Sequence, residues 1–304
     1  MRTLHHRDGH HGWDRDRPPI AEIAPGEEIE LVLADCFGGQ LGPGADAAAV
    51  AALDLGLANP LTGPVRVAGA APGDTLVVGI LEVAVEGVGW TTLIPGFGLL
   101  ADDFPDPHVV TSALAGTQIA FGDMATLPAQ PFIGTIGTAP AAPGPHSVIP
   151  PRRVGGNRDC RDVRPGASLL LPVEVDGALL SAGDPHGAQG DGEVCGTAVE
   201  TAATVRLRID VRSDVHVLAP QLELPQEGTR PVGPRHVTMG VGPDLHDGAR
   251  DATRAMIEYL MATASLDAAD AYALCSVAGH LRIVEVVDAP NWVVAMEFDT
   301  SLLA

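Results

Sequence analysis

One glycine-rich polar stretch, residues 183–198, constrains this chain more than any other feature. It reads GDPHGAQGDGEVCGTA, so glycines separate three carboxylates, an imidazole, an amide and a thiol. Glycine is costly inside a helix, and the alternation is too irregular for a plain half-buried strand. The stretch therefore predicts a tight loop that holds polar side chains around one point.

A second polar segment, GGNRD at residues 155–159, lies upstream of this stretch. Apolar runs at residues 168–180 and 197–211 are expected to form the flanking strands. Two glycine-rich segments that carry Asp, Asn, His and Glu and are joined by a short β segment are typical of a site for a divalent metal ion.

Three side chains are the preferred metal ligands: Asp159, His186 and Glu193. Asp184 and Asp191 are alternative ligands, or outer partners that orient His186. The spacing matches no strict motif such as HExxH, and Asp and Asn also favour turns that bind no metal, so that alternative stays open.

Other catalytic chemistries find less support in the residues. Cys195 lies near Glu193 and His186, but a buried structural thiol is the commoner case. No serine has a GxSxG context, and the GxG fragments do not open a helix, which excludes the α/β-hydrolase and dinucleotide-binding patterns.

Composition narrows the class of partner. The chain has 304 residues and a net charge of −21, which argues against nucleic acid and anionic membranes and favours a neutral or cationic small molecule. Its four cysteines are far apart, so we expect reduced thiols and a cytoplasmic protein. The polar N-terminus predicts no signal peptide, and no apolar run predicts a membrane span.

The coarse pattern predicts a mainly β chain with one late helical hairpin. Strands are expected within residues 20–33, around a turn at 25–26, and within 62–88, around a turn at 71–74. Residues 45–57 are predicted to be helical, and residues 89–100 to pack over a cleft. Residues 132–151 are expected to be an irregular connector, followed later by a proline-rich passage at 220–234. Helices are predicted at 247–263 and at 267–278, the second with Gly279 at C′, before strands at 281–287 and 292–298.

Two short segments near the N-terminus carry further candidates. Asp35 and Gln40 bracket a double glycine at a strand end, a position that often faces a pocket; a simple turn with buried Cys36 and Phe37 is the alternative. Residues 5–11 contain His5, His6, His10 and His11. We expect a solvated arm or an expression remnant for the first three, whereas Trp13 could anchor His11.

At these residues the sequence resembles the acetamidase/formamidase family of amide hydrolases. The stretches that carry the resemblance cover nearly the whole chain: residues 35–41, 59–64, 94–100, 133–137, 155–159, 171–173, 183–200 and 270–276. The resemblance implies a β-rich fold with sandwich and barrel-like parts. It also implies hydrolysis of short amides such as formamide or acetamide, zinc or calcium in the site, and an oligomer.

Carried over by position, Asp159 matches the Asp of the family's GGN-x-D stretch, and His186 and Glu193 match the His and the closing Glu of its GD-x-HAAQGDGE stretch. The chain departs from the family at Val154, Arg158, Pro185 and Gly187. These departures alter the rim of the site, which puts the identity of the amide in doubt more than the chemistry.

The sequence therefore predicts a single unit over residues 1–304, and leaves open a C-terminal α+β part at about 235–304. It predicts metal-assisted hydrolysis of a short amide to ammonia and a carboxylate, with Glu193 and His186 as the catalytic residues. Asp35, Gln40 and Asn157 are expected to bind the substrate, and a homo-oligomer is expected. Two alternatives stay open: a non-catalytic metal- or ligand-binding protein on the same scaffold, and a hydrolase of another C–N bond, such as a cyclic or aryl amide.

Overall fold

A computed structural model describes residues 1–85, 87–226 and 233–303 of the chain. Most of the regular structure in these residues is β-strand. The strands are β1 (Arg2–His5), β2 (Ala21–Ile23), β3 (Glu28–Leu33), β4 (Leu61–Val67), β5 (Thr75–Val85), β6 (Gly87–Leu93), β7 (His108–Ala115), β8 (Gln118–Phe121), β9 (Ala125–Pro128), β10 (Phe132–Gly137), β11 (Gly155–Asn157), β12 (Ser168–Pro172), β13 (Leu180–His186), β14 (Ala203–Arg212), β15 (Gln221–Leu224), β16 (Arg235–Gly242), β17 (Gly279–Glu285) and β18 (Trp292–Asp299). The α-helices are α1 (Ala47–Ala51), α2 (Leu245–Ala264) and α3 (Ala268–Ala278), and 3-10 turns lie at His6–Asp8, Leu55–Leu57 and Thr300–Leu302.

Within the described residues these strands form three sheets. The largest has the order β1-β3-β14-β5-β12-β15-β16-β18-β17, the second has the order β11-β10-β13-β4-β2, and β6 to β9 form a four-stranded meander. One hydrophobic cluster draws residues from both larger sheets, including Leu31 and Val205 from the first and Val65 and Ile136 from the second. The two sheets therefore pack face to face as a sandwich.

Alternation of side chains explains this packing. In β3, Ile29, Leu31 and Leu33 are buried while the residues between them are partly exposed. The same alternation continues in β14, which pairs with β3 in antiparallel register. Each aliphatic side chain that is fully buried contributes about 1.5–3 kcal/mol relative to an exposed one. The period of two thus directs one face of each strand into the shared core.

The late helical hairpin covers β16 and β18. Helix α2 begins at Asp244, whose side chain accepts hydrogen bonds from the amides of His246 and Asp247. Its buried stripe of Ala252, Met256 and Leu260 packs with β18 side chains and with α3 in a second cluster. The mainly β fold with sandwich packing and a late helical hairpin, as predicted from the sequence, is confirmed.

Three local predictions are wrong. Residues 183–186 are not a loop, because they form the end of the fully buried strand β13. The predicted connector at 132–151 begins with β10, whose residues are all buried. Gly279 is not a left-handed C′ residue, since its φ is −87° and β17 starts there; the left-handed cap is Ser265, after α2. In each case pairing to neighbouring strands outweighs the local preference of glycine and proline for turns.

The remaining boundaries shift by a few residues or lie partly outside the described residues. The expected strand at 197–211 starts only at Ala203, and the helix expected at 45–57 is shorter, with α1 followed by a 3-10 turn. In the proline-rich passage at 220–234, β15 occupies its start and residues 227–232 lie outside the described residues. Strands β16 to β18 belong to the largest sheet. The single unit over residues 1–304, and the alternative of a C-terminal α+β part at about 235–304, stay predictions. None of the helices in the described residues is long and apolar enough to cross a membrane.

Candidate active site

Strand β13 supplies two charged groups to the interior of the protein. It lies between β10 and β4 in the second sheet, and all its residues are buried. Asp184 and His186 are two residues apart and so project from the same face of the strand. The Nε2 atom of His186 lies 3.1 Å from Oδ1 of Asp184 and 3.1 Å from Oε2 of Glu200.

Two loops complete a cluster around His186. Asp159 follows β11, and Glu193 lies in the glycine-rich segment after β13. One potential ligand atom from each of Asp159, His186 and Glu193 lies within 4.8 Å of the others, and all three residues are buried. A second such group, Cys36, Asp184 and Glu200, adjoins it through the contacts of His186. The three preferred metal ligands predicted from the sequence are thus brought together.

The backbone that holds these side chains is strained. Asn59, Asp159, Asp184 and Glu193 have φ angles of 47°, 44°, 55° and 46°, in the left-handed region that non-glycine residues seldom adopt. In the described residues such strain otherwise falls on Ala178, Leu179 and Ser265. Residues held in this region cost free energy and tend to cluster at functional sites, which supports a site at this point.

A carboxamide fixes the orientation of the His186 ring. Gln189 donates from Nε2 to the carbonyl oxygen of Asp159 at 2.7 Å, which turns its Oε1 toward Nδ1 of His186 at 2.8 Å. Nδ1 therefore carries a proton and donates, and Nε2 faces the carboxylates. The edge of the ring also packs on Phe132, with centroids 4.9 Å apart at 86°. This is the outer support that an imidazole ligand commonly has.

Burial and mutual repulsion control the pKa values of the acidic groups. Burial, followed by the charge of Asp184, raises the pKa of Asp159 to about 7. Burial, and next the charge of Asp159, raises the pKa of Glu193 well above its usual value. Burial alone would lower the pKa of His186, but the Glu200 and Asp184 carboxylates raise it well above normal. The site thus gathers more negative charge than one imidazolium balances.

Asp159 has the least satisfied carboxylate of the cluster. Among the residues that the structure describes, no ordinary donor gives a hydrogen bond to either of its oxygens, although the side chain is buried. The neighbouring group in hydrogen-bond range is the Asp288 carboxyl, which can donate only when protonated; burial and then the Asp159 charge raise the pKa of Asp288 well above normal. A buried carboxylate without a donor is costly unless a cation or a proton compensates it.

A hydrogen-bond network supports the cluster from the sheet. Asn157 on β11 accepts at Oδ1 from Asn59 at 2.9 Å and from the hydroxyl of Thr135, and its Nδ2 donates to Asp288. Asp184 accepts at Oδ2 from the same Asn59 amide at 3.3 Å, and its Oδ2 lies 3.2 Å from the Thr135 hydroxyl, whose single proton is shared between Asn157 and Asp184. These contacts tie Asp184 and Asp288 to neighbouring strands and limit the movement of both carboxyls.

The cluster opens into a cavity of about 220 Å³. Its polar lining comprises Asn59, Asn157, Asp159, Asp184, Glu193, Thr197, Glu200 and Asp288. Apolar side chains make up most of the rest, among them Phe37, Ile94 and Phe97. Residues 89–100, which were predicted to pack over a cleft, contribute two of these. A concave site with convergent polar groups and perturbed pKa values is the usual form of an active site.

The residues present fit a divalent metal ion. Two carboxylates and an oriented imidazole converge, and both oxygens of Asp159 lack a donor within the described part of the chain. The excess of buried negative charge also favours a cation at this point. Imidazole with carboxylate ligands suits zinc, whereas calcium takes six to eight oxygen ligands.

The structure places the other predicted site residues differently. Asp184 joins the cluster and Asn157 lines the cavity, as expected. Asp191 instead pairs with Arg161 at 3.2 Å and with Arg282 at 3.0 Å. The Asp35 carboxylate accepts from the amides of Phe37 and Gly39. Both Asp35 and Asp191 therefore organise loops next to the cluster.

Gln40 is exposed and does not line the cavity. Its amide donates to the carbonyl oxygens of Phe37 and Asp54 and accepts from the amide of Asp54. These bonds join two loops that contribute Phe37 and Leu55 to the cavity wall. Its side chain is thus occupied in shaping the wall.

Sequence reasoning missed Glu200, Asp288, Asn59 and Thr135. Glu200 ends the longest stretch that resembles the family, so a signal for it was present. Asp288 follows β17, far along the chain from the other groups, and only the folded sheet brings it near Asp159.

Three other candidates lie outside the carboxylate cluster. Arg158 is fully buried, but its guanidinium lies 3.5 Å from the sulfur of Met239 and 3.4 Å from the carbonyl oxygen of Ile136. Cys195 contributes to neighbouring surface depressions and donates to the carbonyl oxygen of Thr197. His10 is buried against Ser181, with Nε2 3.0 Å from Oγ, so the solvated-arm interpretation is wrong for this residue.

Comparison with known proteins agrees with this site. The family model described as "Acetamidase/Formamidase family" matches residues 2–148 and 142–303. An acetamidase of Mycolicibacterium smegmatis is 29% identical over 269 residues, which cover 67% of this chain and 66% of that protein. A formamidase of Methylophilus methylotrophus is 29% identical, with 93% of this chain and 86% of that protein covered.

A solved structure shares nearly the whole fold. The crystal structure of an acetamidase from Bacillus halodurans superposes with a TM-score of 0.91 at 32% identity and covers 99% of this chain and 98% of that chain. The matches thus extend over both sheets and the cluster around His186. The predicted family and enzyme class are confirmed: this chain belongs to the acetamidase/formamidase family and is an amidase.

Proposed function

We propose that this protein is a metal-assisted amidase that hydrolyses a small neutral amide to ammonia and a carboxylate. The observation that carries the proposal is the convergence of Asp159, His186 and Glu193 within 4.8 Å in a buried cavity. The two unsatisfied oxygens of Asp159 support an ion at that point.

Asp159, Nε2 of His186 and Glu193 would hold the ion, with Asp184 and Glu200 close enough to His186 to replace or assist them. We favour zinc over calcium because of the imidazole ligand. A bound divalent ion lowers the pKa of water and polarises an amide carbonyl.

The chain's own residues supply positioning and proton transfer. Gln189 keeps Nδ1 of His186 protonated, so that Nε2 is the ring nitrogen directed at the carboxylates. In the reaction the oxygen of a water molecule bonds to the amide carbon and the C–N bond breaks. Glu193 takes one proton from the water and gives it to the departing nitrogen, which leaves as ammonia. The second proton of the water stays on the acyl product, a carboxylic acid that ionises to the carboxylate by passing this proton to ammonia. Asn157, held by Asn59 and Thr135, keeps Asp288 against Asp159.

The test is ammonia release across an amide panel, measured on protein depleted of metal and then restored with zinc or calcium. Turnover that disappears on depletion and returns with one of the ions supports the proposal, and elemental analysis should then find at least one ion per chain. An ion that binds without turnover of any amide would favour the alternative of a non-catalytic binding protein.

Cellular setting and assembly form a second part of the proposal. The four cysteines are free, which supports a reducing cytoplasm. We also propose a homo-oligomer, because the outer strand β17 exposes Leu281 and Ile283 and the adjoining α3 exposes Val277. Light scattering on the purified protein measures the assembly, and cell fractionation measures the location.

A further inference from the structure

The polarity of the cavity lining indicates which acyl group the substrate carries. The carboxyl and amide side chains of this lining are each no more than 7% exposed, and Cys36 and Phe37 are buried beside them. Toward the surface the lining becomes apolar, with half-buried Ile94, Phe97 and Ile149 and with Leu55, which is 53% exposed. The amide group of a substrate therefore has polar partners in the buried part of the cavity, and its acyl substituent contacts apolar side chains.

The space exceeds what the simplest amides fill. An apolar cavity of about 150 Å³ holds benzene, and a water molecule takes about 30 Å³. The cavity of about 220 Å³ thus accommodates an amide group together with a benzene-sized or four-carbon substituent. Formamide and acetamide would leave the apolar wall in contact with water only.

The apolar wall is built with close packing. Phe97 lies against Gly196, where an added Cβ would come within 2.5 Å of the Phe97 ring. The amide of Phe97 donates to the carbonyl oxygen of Ile94, and the next turn is fixed by the bond from Leu99 N to Val194 O at 3.0 Å. The segment with Phe97 is thus joined to the loop that contains Glu193, so its ring is held at the cavity beside a candidate catalytic residue.

We propose that this amidase prefers neutral amides with an apolar acyl group of about four to seven carbons, such as valeramide or benzamide, over formamide and acetamide. Phe97 and Ile149 are the residues that determine this preference. The inference rests on the proposed function, since it assigns the substrate class of the same cavity. The five carboxyl groups in the lining add a second selection, against acyl groups that carry a negative charge.

The experiment measures kcat/KM for a straight-chain series from formamide to valeramide, and for benzamide, with metal-loaded protein. Each added methylene should raise kcat/KM about fourfold, so that valeramide, with three more methylenes, exceeds acetamide about 60-fold. Succinamate, an anionic analogue similar in length to valeramide, should be at least about 10-fold poorer. A maximum at formamide or acetamide would overturn the inference while leaving the proposed function intact.

Substitutions in the cavity wall test which residues cause the preference for an apolar acyl group. Phe97→Ala should lower kcat/KM for valeramide about 10-fold and leave that for acetamide within about threefold. Ile149→Ala, in a separate segment, provides a second test should the first variant fold poorly. Leu100→Ala is the matched control, because Leu100 is 54% exposed in the same loop and does not line the cavity. An equal loss on both amides, or the same change in Leu100→Ala, would contradict the assignment.

Measurements of amide binding test the substrate preference independently of the proposed reaction. The affinities of valeramide and acetamide are measured by ligand-observed nuclear magnetic resonance with the same protein. If no amide is hydrolysed but valeramide binds more tightly and loses affinity in Phe97→Ala, the assigned preference of the cavity stands and the proposed reaction fails. If acetamide binds at least as tightly as valeramide, the inference is overturned whatever the turnover.

Discussion

Strand β13 is buried along its whole length and helix α2 along one stripe, and the two bury different kinds of side chain. β13 buries Asp184 and His186 beside further carboxyls, on backbone that includes a left-handed Asp184. α2 buries Ala252, Met256 and Leu260 on regular helix that is capped by Asp244. Burial of apolar groups stabilises a fold, whereas burial of carboxylates costs free energy unless a partner compensates. The α2 region therefore stabilises the fold, whereas the β13 region lowers its stability and holds the reactive groups.

The largest expected effect is on catalysis, from His186 in the β13 region. His186→Asn removes the ring that Gln189 and Phe132 hold in place, and should lower kcat/KM by about 10³-fold or more, with loss of bound metal. The measurements are ammonia release on the best amide and metal content. Wild-type turnover in a folded variant would rule out this site. Asp267→Ala, which removes the α3 cap, is the control and should cost about 1 kcal/mol of stability without altering turnover.

A second expected effect tests the close approach of the backbone at Asp159. A Cβ added at Gly134 would lie 2.5 Å from Oδ1 of Asp159 and 2.8 Å from the carbonyl oxygen of Asp184. Gly134→Ala should therefore displace the carboxylate and lower turnover at least about 100-fold with weaker metal binding. Gly42→Ala is matched, since no atom of the described residues lies within 4 Å of the added Cβ. Equal metal affinity and turnover in the two variants would contradict the placement of Asp159.

The helical region should respond in the opposite way. Met256 is fully buried in α2, so Met256→Ala should lower the free energy of unfolding by about 2–5 kcal/mol and leave kcat/KM of the folded protein unchanged. Urea unfolding measures the first quantity. Met261→Ala in the same helix is the control, because Met261 is 41% exposed. A loss of turnover in folded Met256→Ala would show that the two regions are coupled.

The smallest expected effect is a pH dependence in the helical region. His236 on β16 stacks on Tyr259 at 3.6 Å and contacts Gln221, and burial lowers its pKa to about 4. In the unfolded chain His236 has an ordinary histidine pKa and binds a proton more readily than in the folded protein. The stability that the neutral, buried His236 contributes is therefore fully present above about pH 6.5 and is lost as pH falls toward about 4.

Between pH 7.5 and pH 5 the wild type should therefore lose about 2 kcal/mol more stability than His236→Gln. Urea unfolding of both proteins at the two pH values gives the difference, in which the other titrating groups cancel. Parallel curves would mean that His236 is not neutral in the folded protein.

The sequence alone determined the family, the mainly β class and three of the cluster residues. The late helices and the strands around them were also predictable, because their hydrophobic period and capping residues are local signals. Asp159, His186 and Glu193 could be named because two Gly-rich segments carry them and because those segments resemble motifs of the family. Their convergence within 4.8 Å agrees with that prediction.

Only the tertiary structure decided which other groups share the cavity and what each carboxylate does. Glycine and proline in residues 183–186 suggest a loop, but pairing with β10 and β4 makes the segment a buried strand. Asp191 reads like a ligand in the sequence, yet Arg161 and Arg282 pair with it because the fold brings them close. Asp288 reaches Asp159 from a distant strand end. Such long-range contacts leave no local pattern, since they depend on how sheets pack rather than on neighbours along the chain.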